Sequence, residues 1–435
     1  MNKRTSRKDL SAQGLLRAIR AEFDRIADSR RPRRFSLSDV LMSGLAIFGL
    51  KYPSLLQFDR AQSEEAVRHD LRRLYGVDRA PCDTYLRERL DEVDPDVLEK
   101  VYKRLFALLQ RGRGLEGMEV LDGRYVLSVD GTGVFSSQSV HCDHCCERHH
   151  QDGRVTWYHQ MLGAVLVHPE CREVIPLMPE AIMKGDGSNK NDCERNAAKR
   201  LLRRVRRNHP HLKLLVVEDG LASNGPHIRL LEELDMRYVL GAREKDHAFL
   251  YEWVDKTPGT REHEEVDEAG VVHRFRYLNG VPLNDRHFDL EVNFLEYREE
   301  RPDGKVQRFA WVSDLALAPS NLMRIMRIGR ARWRIENETF NTLKNQGYGL
   351  EHNYGHGRQY LSTVLMHLMM LAFLIDQIQL RCCGLFNRAL ERRHSRSALW
   401  SKIRSLFDHF LIDSWEQLYA TIAHDDLAVP LPNPP

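Results

Sequence analysis

Two short stretches, YVLSVDGTG from Tyr125 and LKLLVVEDG from Leu212, constrain this chain most: each is an apolar run that stops at an Asp followed by Gly. Short apolar runs bounded by turn residues read as buried strands. An ionised carboxylate is costly to bury, so Asp130 and Asp219 belong where their strands emerge, and in an open sheet that is where functional side chains enter a crevice. Two further strands, QMLGAVLVH and EVIPLMP, follow the first at hairpin-like spacing. The helix NDCERNAAKRLLRRVRRN leads into the second Asp-ended strand, which precedes the helix GPHIRLLEEL and the strand RYVLGA. Meandering strands followed by alternating helix and strand describe an α/β chain built on a mixed sheet flanked by helices.

On either side the texture changes. From Leu10 to about Leu109 apolar residues recur at helical spacing, as in FSLSDVLMSGLAIFGL and DPDVLEKVYKRLFALL, with Ser36 or Ser38 and Asp94 as caps. RGRGLEGME then reads as a linker. Between Arg243 and Leu317 the pattern is of short antiparallel strands, after which Ser320 caps a helix running through RARWRIENETFNTLKNQG. The units expected are a helical N-terminal domain over 1–115, a sheet domain in two parts over 120–242 and 318–380, an antiparallel β insertion over 243–317, and a C-terminal helical region over 381–435 that ends in the Pro-rich VPLPNPP.

Bases and acids nearly cancel over the 435 residues, for a net charge of +3, so any nucleic-acid signal must lie in their distribution. Eleven Lys and Arg stand against four acids up to Arg34, and seven bases against no acid between Arg195 and Arg207. The first group is a basic leading arm suited, with short helices, to reading DNA. In the second, Arg195, Lys199, Arg203 and Arg206 make a helical stripe that fits a DNA backbone or a solvated face. No apolar run follows the N-terminal Met, and the greasy run LSTVLMHLMMLAFLIDQI is interrupted by His367, so a core helix and a cytoplasmic location are expected.

If the two Asp-ended strands are neighbours, Asp130 and Asp219 face each other and repel unless a divalent cation lies between; hard oxygen ligands suit Mg²⁺ or Mn²⁺. A third carboxylate would complete a two-metal site for phosphodiester chemistry. Glu336 is the candidate: Arg332 lies one turn before it, and Phe340 and Leu343 follow on a packing face. Glu338 faces about 200° away and fits that pattern less well. Arg330, Arg332 and Lys344 would form a cationic rim for phosphates.

With SVDGT at Asp130, VVEDG at Asp219 and RARWRIENETFNTLKNQG at Glu336, the chain resembles the DDE transposases of bacterial insertion sequences whose RNase H-like domain is interrupted by a β insertion. The likeness extends to HCDHCCERHHQDGRVTWYHQMLGAVLVHP and IMKGDGSNKNDCERNAAKR, and covers Tyr125 to Arg358. It implies an RNase H-like fold, three acids that bind two Mg²⁺, cleavage of double-stranded DNA at the element's ends, joining of the 3′-OH to target DNA, and a homodimer assembled on DNA. The family also has a Tyr, an Arg and a Lys around its Glu. Arg332 matches, Gly329 stands at the Tyr position, and Lys344 follows Glu336 by eight residues, about 80° round an ideal helix. A nuclease that cannot join, or a silent zinc-containing DNA-binding derivative, are the alternatives.

HCDHCCERHH places Cys142, Cys145, Cys146, His149 and His150 within ten residues, a spacing and ligand set suited to structural Zn²⁺. Four ligands from one short loop would be strained, so Cys171 or His159 is a further candidate ligand. Trp157 and Tyr158 are candidates for stacking on a flipped base or for the core. Asn191, Asp192 and Glu194 could cap the basic helix.

Overall fold

In the computed structural model, which describes residues 8–28, 34–187 and 190–424, the two Asp-ended runs become β1 (Tyr125–Ser137) and β6 (Leu214–Glu218). Only the second stops at its Asp: β1 runs on past Asp130 through Gly131 and Gly133, where a turn was expected, because those residues stay paired to the next strand of the sheet. They lie side by side and parallel, Tyr125 opposite Leu214 and Ser128 opposite Val217. Every residue of β6 is buried, as a strand covered by helices on both faces requires. The basic arm before Lys8, segment 29–33, the side chains of Asn191 and Asp192, and the Pro-rich tail fall outside what is described.

β1 also pairs antiparallel with β3 (Val155–Val167), which sets Asp130 opposite Gly163. The hairpin loop between them carries a short strand, β2 (Cys146–His149), paired to β3. Two short strands, β4 (Ile175–Pro176) and β5 (Glu180–Ile182), return along β3. The basic helix α7 (Lys190–Asn208) leads to β6, and α8 (Gly225–Glu233) crosses to the parallel β7 (Arg237–Gly241).

The insertion does not stand apart. Its strands β8 (Arg261–Val266), β9 (Val272–Asn284), β10 (His287–Glu300) and β11 (Val306–Ser313) continue the same sheet, because β11 returns antiparallel along β7 with Trp311 opposite Gly241. Among the described residues the strand order is β2-β3-β1-β6-β7-β11-β10-β9-β8. Pairing β7 in this way removes an exposed sheet edge next to β6.

Helices before the sheet are α1 (Ala12–Phe23), α2 (Leu37–Gly49), α3 (Leu55–Ala61), α4 (Glu65–Asp70), α5 (Asp83–Asp91) and α6 (Glu99–Arg111). Ser36 caps α2, its Oγ accepting from the Asp39 N–H at 3.0 Å, and Asp94 accepts from Asp96 N–H at the turn before α6. Within the insertion lies α9 (Ala248–Lys256). After the sheet, α10 (Leu322–Arg330) starts at Asn321, whose side chain holds the Ala318 N–H; Ser320, the expected cap, is one residue too early. The chain then tightens at 331–332, winds a π-helical turn over Ile335–Phe340 and resumes as α11 (Asn341–Asn345).

The long apolar run forms α12 (Leu361–Cys382), long and apolar enough to cross a membrane but 94% buried over its most apolar window. The apolar α2 packs directly on it, and the Tyr102 hydroxyl donates to the His367 carbonyl at 2.9 Å. The apolar stripe LMSGLAIFGL is thus used inside the chain. Helices α13 (Gly384–Arg393), α14 (Arg396–His409) and α15 (Trp415–His424) close the other side of this helical core.

Candidate active site

Helix α10 and the π turn lie across the sheet at Asp130. Ile335 and Phe340 pack against Gly163, where a Cβ would come within 3.1–3.3 Å of the Phe340 ring and the Ile335 Cδ1, so glycine lets the turn approach a few tenths of an ångström closer than a side chain would. The Ser128 hydroxyl donates to the Arg332 carbonyl at 3.0 Å and fixes the start of the turn. Glu336 is thereby brought to Asp130. Arg332 lies against both, 2.8 Å from Asp130 Oδ2 and 3.0 Å from Glu336 Oε1. Burial drives the Asp130 carboxyl up; the Arg332 guanidinium opposes this, while hydrogen bonding and repulsion from Glu336 push further, leaving it at about 7. Such a carboxylate pair holds more negative charge than one arginine balances.

Continuing the β1–β6 register sets Asp219 beside Asp130 on the same sheet face, with strands about 4.8 Å apart. Asp219 Oδ1 accepts from the Leu221 N–H at 2.9 Å, which holds the turn after β6. The three acids do not form a group in which every pair of carboxylate oxygens lies within 4.8 Å. Beside Asp219 opens a cleft of about 380 Å³ lined also by Arg243, Arg308, Arg330, Arg332 and Trp333, with β10 and β11 forming one wall. Arg243 and Arg308 are exposed there. On the other face of the sheet end, the Glu194 carboxyl would lie 3.3–3.4 Å from a Cβ at Gly131. There too Glu218 and His227 form a buried pair at 2.5 Å; burial lowers the imidazole's basicity, but Glu218 outweighs it and the result is raised.

A family model described as Transposase DDE domain matches residues 123–374, more than half of the chain and a range within which these three acids fall. The chain belongs to the DDE transposase family. It is a DNA transposase by that membership, and the family implies use of divalent metal. A cryo-EM structure of the piggyBac transposase synaptic complex with hairpin DNA is similar at 11% identity and TM-score 0.42, over 97% of this chain and 80% of that one. No curated protein sequence matches.

In this transposase the candidate phosphate ligands fare unequally. Arg332 lines the cleft but is engaged by two carboxylates. Arg330 pairs with Glu299 at 2.5 Å and lies over the Phe309 ring. Lys344 pairs with Glu351 at 3.0 Å. Glu338 pairs with Arg334 at 3.6 Å and lines a different cleft, in keeping with its lesser fit. Trp333, 48% exposed, stands between the two clefts with the Arg332 guanidinium over its ring, 4.7 Å from the centroid.

The basic stripe on α7 is broken up. Arg203 makes a two-armed pair with Glu233, at 2.6 and 3.0 Å, and Lys199 donates to Asn196 at 3.1 Å. Arg206 is not a surface ligand: its guanidinium holds the carbonyls of Leu212, Leu234 and Asp235, filling acceptors left open by nearby helix ends. Arg195 remains at the end near His227. Gly329, at the family's Tyr position, leaves room for the Trp311 indole, 2.5 Å from where a Cβ would be. Trp157 stacks on His141 at 4.5 Å and Tyr158 lies under Arg148, so both are engaged within the hairpin.

Of the five Cys and His expected to gather, only Cys142 and Cys145 do, joined by His159 and by His356. Cys146 and His149 are residues of β2: the first faces Gln160, the second is exposed beside Glu147. His150 pairs with Thr156 at 2.9 Å. Cys171 is not drawn in. Arg243, Arg308 and His356 had no periodic signal; Arg243 and Arg308 could have been suspected only as bases at the end and on the open face of insertion-flanking strands.

Proposed function

We propose that this transposase cuts DNA at its element's ends and joins the freed 3′-OH to a target strand, with Asp130, Asp219 and Glu336 as the acids that hold two divalent ions, Mg²⁺ or Mn²⁺. The observation that carries this reading is the contact of Glu336 with Asp130 beside the strand that ends in Asp219. The donor set fits: all its ligands are carboxylate oxygens, and the Asp130–Glu336 pair is crowded enough to raise the former to about 7. Bound there, divalent ions would activate water or a 3′-OH and stabilise the leaving oxygen.

The chain's own residues do the remainder. Arg243 and Arg308 grip backbone phosphates along the cleft, and Trp333 offers an exposed ring beside them. Arg332, resting on Asp130 and Glu336, keeps the pair from repelling before ions arrive. Two copies would assemble on DNA, since two ends must be brought together, and the work would be done in the cytoplasm.

The test is a supercoiled plasmid carrying the element's ends, incubated with protein and Mg²⁺. Joined products support the proposal. Nicks without joining select a nuclease, and retarded but uncut DNA selects a silent binding derivative. Asp219→Asn is expected to end cutting while leaving DNA retardation unchanged.

A further inference from the structure

The β1–β2 loop, strand β3 and the segment between α11 and α12 meet at four side chains that the carboxylate chemistry does not use. Cys142 Sγ lies 3.7 Å from Cys145 Sγ and 3.5 Å from His159 Nε2; Cys145 Sγ lies 3.6 Å from that nitrogen and 3.1 Å from His356 Nδ1. All four ligand atoms lie within 4.8 Å of one another. A tetrahedral zinc with its usual bond lengths separates two sulfurs by about 3.8 Å, and a sulfur from a nitrogen by about 3.5 Å. A disulfide is ruled out at 3.7 Å, since its sulfurs are bonded at about 2.05 Å.

We propose that Cys142, Cys145, His159 and His356 bind one structural zinc ion, which staples the segment following the Glu336 helix to the hairpin that begins with the Asp130 strand. Two thiolates, two neutral imidazoles and Zn²⁺ sum to zero charge, and binding releases the two thiol protons. A neutral unit can be buried, and Cys145 and His356 are 1% and 5% exposed. Burial and the neighbouring His356 and His144 hold His159 down at about 4, in the neutral form a metal requires. The Cys142 backbone N–H points at Cys145 Sγ at 3.4 Å, a donor to the thiolate. With four protein ligands the site has no open position, so its role is to hold structure. What it holds is specific: β1 already bonds this segment through Phe135 N–H to Leu350 O at 3.0 Å and Ser136 N–H to Glu351 O at 3.2 Å. The ion would lock that junction, and with it the placement of Glu336 relative to Asp130.

Metal analysis of the full chain purified without chelator is expected to find one zinc per chain, and Co²⁺ added to the stripped protein should give the charge-transfer spectrum of a cobalt thiolate. His356→Ala and Cys142→Ser should lose the metal, His356→Cys should keep it, and Cys146→Ser and His149→Ala should be indistinguishable from wild type. Hydrogen exchange on zinc removal should rise at 138–146 and 350–357 more than elsewhere. Wild-type protein without zinc and without a cobalt–thiolate spectrum would overturn the proposal, and needs no variant to fold. Metal retained at full stoichiometry in His356→Ala would overturn the staple.

Discussion

Gly163 shows how much can depend on one absent methyl. It lies opposite Asp130, and the π turn bearing Glu336 rests on it through Ile335 and Phe340. Gly163→Val should push that turn outward by an ångström or more, a misplacement that can cost about 10²-fold in rate. Cleavage kinetics on end-bearing DNA, with binding measured alongside, checks this: the rate should fall and the affinity hold. Asp130 is costly for a different reason. Its carboxyl titrates above the unfolded value, so its ionisation weakens the fold as pH rises from about 4 towards 7. Asp130→Asn should therefore melt a few degrees higher than wild type at pH 8, without cutting DNA, and that advantage should vanish below about pH 4. Calorimetry at several pH values decides it; an unchanged or lower melting temperature at pH 8 would count against the crowding.

At the scale of elements, helix α12 depends on a residue from α5. Asp91 accepts from the backbone N–H groups of Arg358, Gln359, Tyr360 and Leu361, which supplies the negative end charge that the start of α12 otherwise lacks. Burial raises the Asp91 carboxyl, but those N–H groups outweigh it and hold it below the usual range. A depressed acid stabilises above its unfolded value and loses that contribution as pH falls through its folded one. Asp91→Asn should cost about 1–2 kcal/mol at pH 7. The penalty, read from denaturant midpoints, should disappear in strong acid. The π turn is the element that sequence periodicity misjudged. It lies between Glu336 and Lys344, so a uniform 3.6-residue repeat, which sets Lys344 about 80° off, overstates the angle between them.

For the whole molecule, the N-terminal helices and the sheet-bearing half are joined through Lys51. Its ammonium lies 2.7 Å from Asp376 on α12 and over the rings of Tyr348 and Trp400, while Tyr348 also bonds Asp376. The Lys51 side chain is 1% exposed. Breaking such a pair strands a buried charge, so Lys51→Ala should destabilise by about 3–5 kcal/mol. The double variant Lys51→Met with Asp376→Leu should recover much of that loss in the same denaturation assay. This network makes the N-terminal helices part of one core with α12, which the change of texture near Leu109 did not foretell.

What the sequence by itself determined were the elements and the acids they carry. Apolar runs that reach Asp-Gly specify a strand, though not its exit, since β1 runs past Asp130 to Ser137, and Phe340 and Leu343 mark the buried side of a helix, because these patterns are local. The buried fate of the α12 run followed from the same signals, whereas the β1–β6 neighbourhood stood only as a condition until the pairing met it. Tertiary structure alone decided the partners. His356 reaches Cys142 and Cys145 across most of the catalytic region, Arg243 and Arg308 reach the cleft only because β11 pairs with β7, and Arg206 is spent on carbonyls of a distant turn. None of these contacts repeats with a period, since the packing of separate elements leaves no regular spacing in the chain that forms them.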